Sequence, residues 1–300
     1  MMKERKENET IPETITGTTT ARQTARFVVS RFLVACLLLC CLSPSAAFAQ
    51  CQARNDAFKS GESIVYDLYF NWKFIWKKVG YATLNTQDTT YRQKKAYRFN
   101  LHCISSKQTD FYFKMRDTIT SVVTENLEPI YYRKGAEEGK RYTVDEAWYS
   151  YANGKSHVKQ KRTYRDKPAV ETQYESDLCI FDMLSILSHA RSYDPTDYKV
   201  GDKILFPMCT GKKVEEQTLI YRGIKEIEAS DKKTYRCLVF SFVEYPKGKE
   251  KEVITFYISD DKNHLPIRLD MYLHFGSAKA FFKDARGLRH PIESVVKKKK

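Results

Sequence analysis

The sequence predicts a mainly β fold: a curved antiparallel sheet, or half-open β-barrel, of about a dozen strands with one central buried helix near residues 176–191. Three observations carry that prediction. The 300-residue chain holds 20 Tyr and 17 Phe against 12 Gly, a composition suited to pleated, half-buried surfaces. Apolar residues recur with period two in one segment after another, which puts alternate side chains on one face of a sheet. A single stretch near the middle breaks that rhythm and follows helical spacing instead.

The first strand is the clearest. "SIVYDLYFNW" places Ile64, Tyr66, Leu68, Phe70 and Trp72 on one face. "GYATLNT", opened by Gly80, follows, and "AYRFNLHC", "TITSVVTE", "PIYYRK", "RYTVDEAWYSY" and "SHVKQKRTY" continue between polar turns. After residue 200 the texture returns in "KILFPMC", "EEQTLIYRGIKEIEA", "TYRCLVFSFVEY", "EVITFYIS", "LPIRLDMYLHF" and "SAKAFFKDA". Between the two runs lies "SDLCIFDMLSILSHARSYDP". There Leu178, Phe181, Leu184 and Ser188 fall at helical spacing, and Ile180, Met183 and Leu187 widen the apolar face. Ser176 or Asp177 caps its start and Pro195 bars continuation, so a buried helix of about 14 residues is expected.

Consecutive strands joined by short turns pair antiparallel, and no βαβ rhythm occurs. A sheet of this many strands curls, and curling around the helix buries both apolar faces at once. One β-rich domain over residues 50–285 is therefore preferred to two sandwiches, with residues 286–300 a loose basic tail.

Residues 1–49 read as an N-terminal extension and a signal peptide. Arg22, Arg26 and Arg31 precede an apolar run from Phe32 to Leu42, and Ala47-Phe48-Ala49 supplies the small-x-small cleavage pattern. A spanning helix needs about 20 apolar residues, more than Ser43–Ser45 allow here. Cleavage near Ala49 and a periplasmic or outer-envelope location are expected. Lipoprotein anchoring at Cys51 is the rival, set back by Gln50 where a small residue is needed.

The leader holds six Lys/Arg and four Glu, so the remaining chain keeps +12 of the full net charge of +14. The positive charge is interspersed with acids, with no concentrated stripe or motif for nucleic acid. A lipid or anionic envelope component is the better partner class. Cys51, Cys103, Cys179, Cys209 and Cys237 remain after the leader, and their pairing is open, with Cys103 and Cys237 read as core fillers.

The order of marked residues resembles a known family. Phe58, Gly61-Glu62 and Tyr66 open the first strand, Gly80 the second, and Arg116-Asp117 precedes a strand before Leu127-Glu128-Pro129. Asp182 to Ser185 and Arg191 frame the helix, then come Gly201-Asp202, "FYISDD" with Pro266, and "HFGS" at 274–277. This pattern, spanning roughly residues 56–285, resembles the exported bacterial family catalogued as domain of unknown function 3108. That resemblance implies an envelope location and no defined chemistry.

The candidate site is a polar cluster of Glu62, Arg116, Asp117, Asp182 and Arg191. Beside a buried helix such charges must be paired, as a structural network or as the floor of a ligand pocket. Ser188 and His189 are sequence neighbours on a helix and point apart, so they are no nucleophile–base pair. The histidines show no HxH or HExxH spacing, and no metal or cofactor is expected. "SDDKNHLP" lacks the glycine and distal glutamate of a calcium loop and reads as a turn. Trp72, Trp76 and Trp148 read as core. The function expected is a non-catalytic envelope protein that binds or carries an apolar or lipid-like ligand in a sheet–helix groove. The alternatives are a glycan or lipid hydrolase with paired carboxylates, Asp182 and Glu62 first among them, and a scaffold pairing a sheet edge with another envelope protein.

Overall fold

The computed structural model describes residues 51–72, 75–273 and 276–297. The expected signal peptide with Cys36, Cys40 and Cys41, the residues His274 and Phe275, and Lys298–Lys300 lie outside that range. The strands are β1 (Ser63–Trp72), β2 (Ile75–Tyr91), β3 (Lys94–Ser105), β4 (Met115–Thr124), β5 (Pro129–Glu138), β6 (Arg141–Ala152) and β7 (Lys155–Tyr164). They continue with β8 (Val170–Ser176), β9 (Lys203–Cys209), β10 (Val214–Glu228), β11 (Thr234–Glu244), β12 (Lys251–Ser259), β13 (Pro266–Leu273) and β14 (Gly276–Arg286). Helix α1 (Lys107–Asp110) is a single turn between β3 and β4, and α2 (Met183–Ala190) precedes β9.

All fourteen strands form one antiparallel sheet, ordered β8 to β1 and then β14 to β9. The chain enters at the middle with β1, winds outward to one edge at β8, crosses with α2, and returns from the other edge at β9. The two edges meet across a seam. Phe181 N–H donates to Pro207 O at 2.9 Å, and Cys209 N–H donates to Phe181 O at 2.8 Å. Gly211 N–H donates to Gln160 Oε1, Arg162 Nη2 to Thr210 O, and Thr172 Oγ1 to Lys212 O. Side-chain-to-backbone bonds thus satisfy backbone groups that an open edge would leave unpaired, and the sheet becomes a nearly closed barrel.

The period-two reading of β1 holds in space. Ile64 and Tyr66 lie in the core with Leu84, Phe99 and Leu184, while Asp67 belongs to the opposite face. Trp76 and Trp148 depart from the expectation of core aromatics: both rings are exposed, at 43% and 40%. The polar strand β8, "VETQYES", has no apolar alternation to announce it. It is held on β7 by cross-strand pairs such as Lys155–Glu175 and Lys159–Glu171.

The helix is shorter than its spacing predicts, eight residues rather than about 14, because residues 179–181 are claimed by other partners. Cys179 is disulfide-bonded to Cys51, and Phe181 pairs with the backbone of β9. Helix α2 then starts at Asp182, not at Ser176 or Asp177. Asp182 Oδ1 accepts from the backbone N–H of Leu184 and Ser185, and Ser185 Oγ accepts from Asp182 N–H, a reciprocal capping box. Ile180, Phe181, Leu184, Ser185, Ser188 and His189 are buried, whereas Leu178 and Met183 are exposed.

Residues 287–297, expected as part of a loose tail, pack back on the sheet. Val295 bridges Tyr235, Val296 N–H donates to Thr234 O, and Ser294 is buried with its hydroxyl on Asp261 Oδ2. Asp261 Oδ1 also accepts from Ser259 Oγ and Asn263 N–H. The "SDDKNHLP" stretch is therefore a turn, and its carboxylate anchors the C-terminal segment.

Candidate functional site

The five residues of the predicted cluster do not form one site. The fold joins Glu62 to Arg191 and distributes the others. Arg191 caps the C-terminus of α2 and donates Nη1 to Glu62 Oε1 at 2.6 Å and Nη2 to Oε2 at 2.9 Å. Its Nε and Nη2 also donate to Asn263 O, and the guanidinium lies 5.2 Å from the centre of the Phe58 ring. Every charged atom of this buried pair thus meets a partner, as burial requires.

Asp182 anchors the other end of α2. Its Oδ2 accepts from Ser121 Oγ on β4 at 3.1 Å and from the Tyr149 hydroxyl on β6 at 3.4 Å. The Tyr149 hydroxyl also lies 2.9 Å from Cys209 Sγ. Burial pushes the Asp182 carboxyl up to about 6 and the Cys209 thiol up to about 12. His189 is buried in the last turn of α2, with Nε2 on Cys51 O and Nδ1 on the Tyr193 hydroxyl. These contacts dock α2 against β4, β6 and the segment at Cys51.

Arg116 and Asp117 are neighbours on β4 and face opposite ways. Arg116 clamps the α1 turn through two bonds to Asp110, and it donates to Ser105 Oγ and Met115 O. The Arg116 hydrogen bond, then that of Ser105, hold the Asp110 carboxyl below the usual carboxylate range. Asp117 is buried, which raises it to about 6, with Lys134 Nζ 3.9 Å away in partial compensation.

Where α2 faces the sheet, the expected groove is nearly filled. The space bounded by Leu84, Phe99, Leu184, Leu187, Ser188 and Arg191 is about 10 Å³, room for no more than one water. The reason is packing: Leu184 and Leu187 fill the concavity that the sheet forms.

A larger opening, about 440 Å³, lies on the face of β1 turned away from the core. Of its lining residues the sequence pattern marked Gly80 alone. Asp67 on β1, Lys78, Gly80 and Tyr81 on β2, Gln108 on α1 and Lys283 on β14 line it. Asp67 is buried and shared: Oδ1 lies 2.7 Å from Lys78 Nζ and 3.7 Å from Lys283 Nζ. Two half-exposed ammonium groups on one carboxylate leave net positive charge at the groove wall. The groove owes its shape to a β-bulge between Leu68 and Tyr69 opposite Gly80. A Cβ on Gly80 would sit 2.1 Å from Ile104 O, so only glycine lets β3 approach. The one available signal was Asp67, a charge inside an otherwise apolar strand.

Among the described residues, no group of three or more His, Cys, Asp or Glu is placed to hold a metal ion, and no helix is long and apolar enough to cross a membrane.

A family model described as "Protein of unknown function (DUF3108)" matches residues 65–283. Among solved structures the chain is similar to a β-barrel-like protein of domain of unknown function DUF1849 from Brucella abortus. That match has 8% identity and a TM-score of 0.51, covering 77% of this chain and 99% of the other. At that identity the likeness concerns the fold alone. No curated protein matches the chain.

Proposed function

Since the chain belongs to the DUF3108 family of proteins of unknown function, we propose its role from its geometry: a non-catalytic cell-envelope protein that binds an anionic, lipid-like component on the outside of its barrel. The observation that carries this reading is the groove where Lys78 and Lys283 share Asp67. Its volume of about 440 Å³ falls within the range of small-molecule sites, and its wall combines apolar surface with a few polar anchors. The lysines supply the attraction for a negatively charged head group, and Tyr81 supplies apolar area beside it.

The Cys51–Cys179 disulfide supports an oxidising compartment. It also occupies the Cys51 sulfur that lipid attachment would need, which favours cleavage near Ala49 over lipoprotein anchoring. The hydrolase alternative loses its named residues, because Glu62 is locked on Arg191 and Asp182 is wholly buried.

The test uses residues 50–300, which lie within the compact unit formed by residues 48–300. Titration with a dispersed short-chain phosphatidylglycerol, followed by calorimetry, should show saturable binding. The Lys78→Glu/Lys283→Glu variant should lose it, and a zwitterionic short-chain lipid should bind more weakly. Equal binding by the variant, or none by the parent chain, overturns the groove reading.

A further inference from the structure

One end of the sheet presents aromatic rings to solvent. Phe111, Tyr112 and Phe113, just after α1, are 85%, 80% and 50% exposed. Their neighbours in space continue the pattern. Phe113 lies against Gly139 in the β5–β6 turn, whose N–H donates to Lys114 O, and Tyr142 is exposed at the start of β6. On the other side the β1–β2 and β13–β14 hairpins reach the same end and expose Trp76, Tyr272 and Leu273.

The tip is held out rather than left to collapse. Ser106 caps α1, Asp110 is clamped by Arg116, and Ser106 N–H donates to Val79 O on β2. Burying a Phe side chain is worth roughly 1.5–3 kcal/mol, so rings fixed in water mark a surface built for contact. The charges around them select the occupant. Lys114 pairs with Glu137 and Arg116 with Asp110, whereas Lys77, Lys107, Lys140 and Arg141 enter no ion pair among the described residues. The turns at the opposite end mix Glu125, Glu128, Asp231, Asp260 and Asp261 with Arg92, Lys232, Lys233 and Lys262.

We propose that the protein docks on the surface of an anionic lipid bilayer through this end, with Phe111, Tyr112 and Phe113 entering the head-group region and Lys77, Lys107, Lys140 and Arg141 facing its negative charge. Aromatic rings sit favourably at lipid–water boundaries, where one part of the ring is apolar and the other wet. Basic side chains near such a surface contribute about 1 kcal/mol each. The docking stands beside the groove reading and does not require it.

The experiment is co-sedimentation of residues 50–300 with vesicles of phosphatidylcholine alone or containing about one-third phosphatidylglycerol. The chain should sediment with the anionic vesicles only, and added salt should weaken the association. Lys140→Gln/Arg141→Gln should weaken it roughly thirtyfold, from about fivefold per charge. Phe111→Ser/Tyr112→Ser should weaken it at least about tenfold, and it should leave short-chain phosphatidylglycerol binding unchanged. Vesicle binding that ignores the aromatic substitutions overturns the inference while leaving the groove intact. Binding to neither vesicle overturns it and leaves a protein partner as the occupant of the tip. Loss of short-chain binding with vesicle docking preserved removes the groove reading alone.

Discussion

Arg191 and Glu62 lie 129 residues apart in sequence and meet as a two-pronged ion pair at the C-terminal end of α2. The pair connects the segment before β1 to the helix and, through Asn263 O, to the β12–β13 turn. Three distant parts of the chain are thereby fixed relative to one another by one guanidinium.

Breaking that pair from one side should be strongly destabilising. Glu62→Gln preserves shape but leaves Arg191 as an uncompensated buried charge, a loss of about 3–5 kcal/mol. Urea denaturation should show it. Glu62→Leu combined with Arg191→Met should recover a large part of the loss, because both charges leave together. A single substitution within about 1 kcal/mol of the parent chain would show the pair to be solvated.

The pattern of the sequence revealed the strands more fully than the site. Alternation in β1 gave the core face with Ile64 and Tyr66, and Asp182 and Arg191 did frame the helix. Strand β8 was invisible because it is held by Lys–Glu pairs and carries no apolar face. The helix start was misplaced because Leu178 and Phe181 fit helical spacing, while a disulfide and a β-bridge, both long-range, decide the backbone there. The partnership of Glu62 with Arg191 was equally unreadable. Types of residue indicate that a buried charge needs a partner, and only the fold says which one.

The buried carboxyl of Asp182 should give stability a pH dependence of unusual sign. Its raised value, about 6 in the folded chain, means the fold favours the protonated form. The associated stability is fully present below about pH 4 and is lost as pH rises through about 6. Asp182→Asn retains an acceptor for the N–H groups of Leu184 and Ser185 and cannot ionise. Relative to the parent, it should gain up to about 3 kcal/mol between pH 4 and 7. Parallel pH profiles for the two chains would rule out a strained carboxylate at this position.

The disulfide ties Cys51, the first described residue, to the segment before α2. Cys51 and Cys179 are separated by 128 positions, so their bond closes a long loop. Its reduction should lower stability by about 2–5 kcal/mol. Cys51→Ser and Cys179→Ser should do the same, with no further effect of reductant on either variant. Intact mass of the protein isolated from its native cells should show no lipid. An acyl mass on the chain would mean that Cys51 is modified and the bond does not form.

The seam between the sheet's two edges should open as a local unit. Arg162 binds Asp145 through two nitrogens and donates to Thr210 O, while Gly211 packs against the Asp145 carboxylate and donates to Gln160. Arg162→Met leaves Asp145 buried without its partner and removes one bond to the β9–β10 turn. Hydrogen exchange should then accelerate in β7, β8 and residues 209–214, with β1 to β3 unchanged. Uniform acceleration across the sheet would mean that the two edges do not open separately.

Gly80 offers the sharpest test of the groove's architecture, because two glycines of different kinds can be compared. Gly61 needs a left-handed backbone at φ +88° but has open space where a side chain would go. Gly80 has no such backbone demand, and an added Cβ would meet the Ile104 carbonyl at 2.1 Å, with Ser105 Cα at 2.9 Å. Neither atom belongs to a flexible side chain, so β2 and β3 would have to part where Ser106 N–H donates to Val79 O. Gly61→Ala should therefore cost about 1 kcal/mol, and Gly80→Ala about 3 kcal/mol or more, measured by urea denaturation. Equal losses at the two positions would mean that β3 does not press on β2 at the bulge, and the wall of the groove would need another explanation.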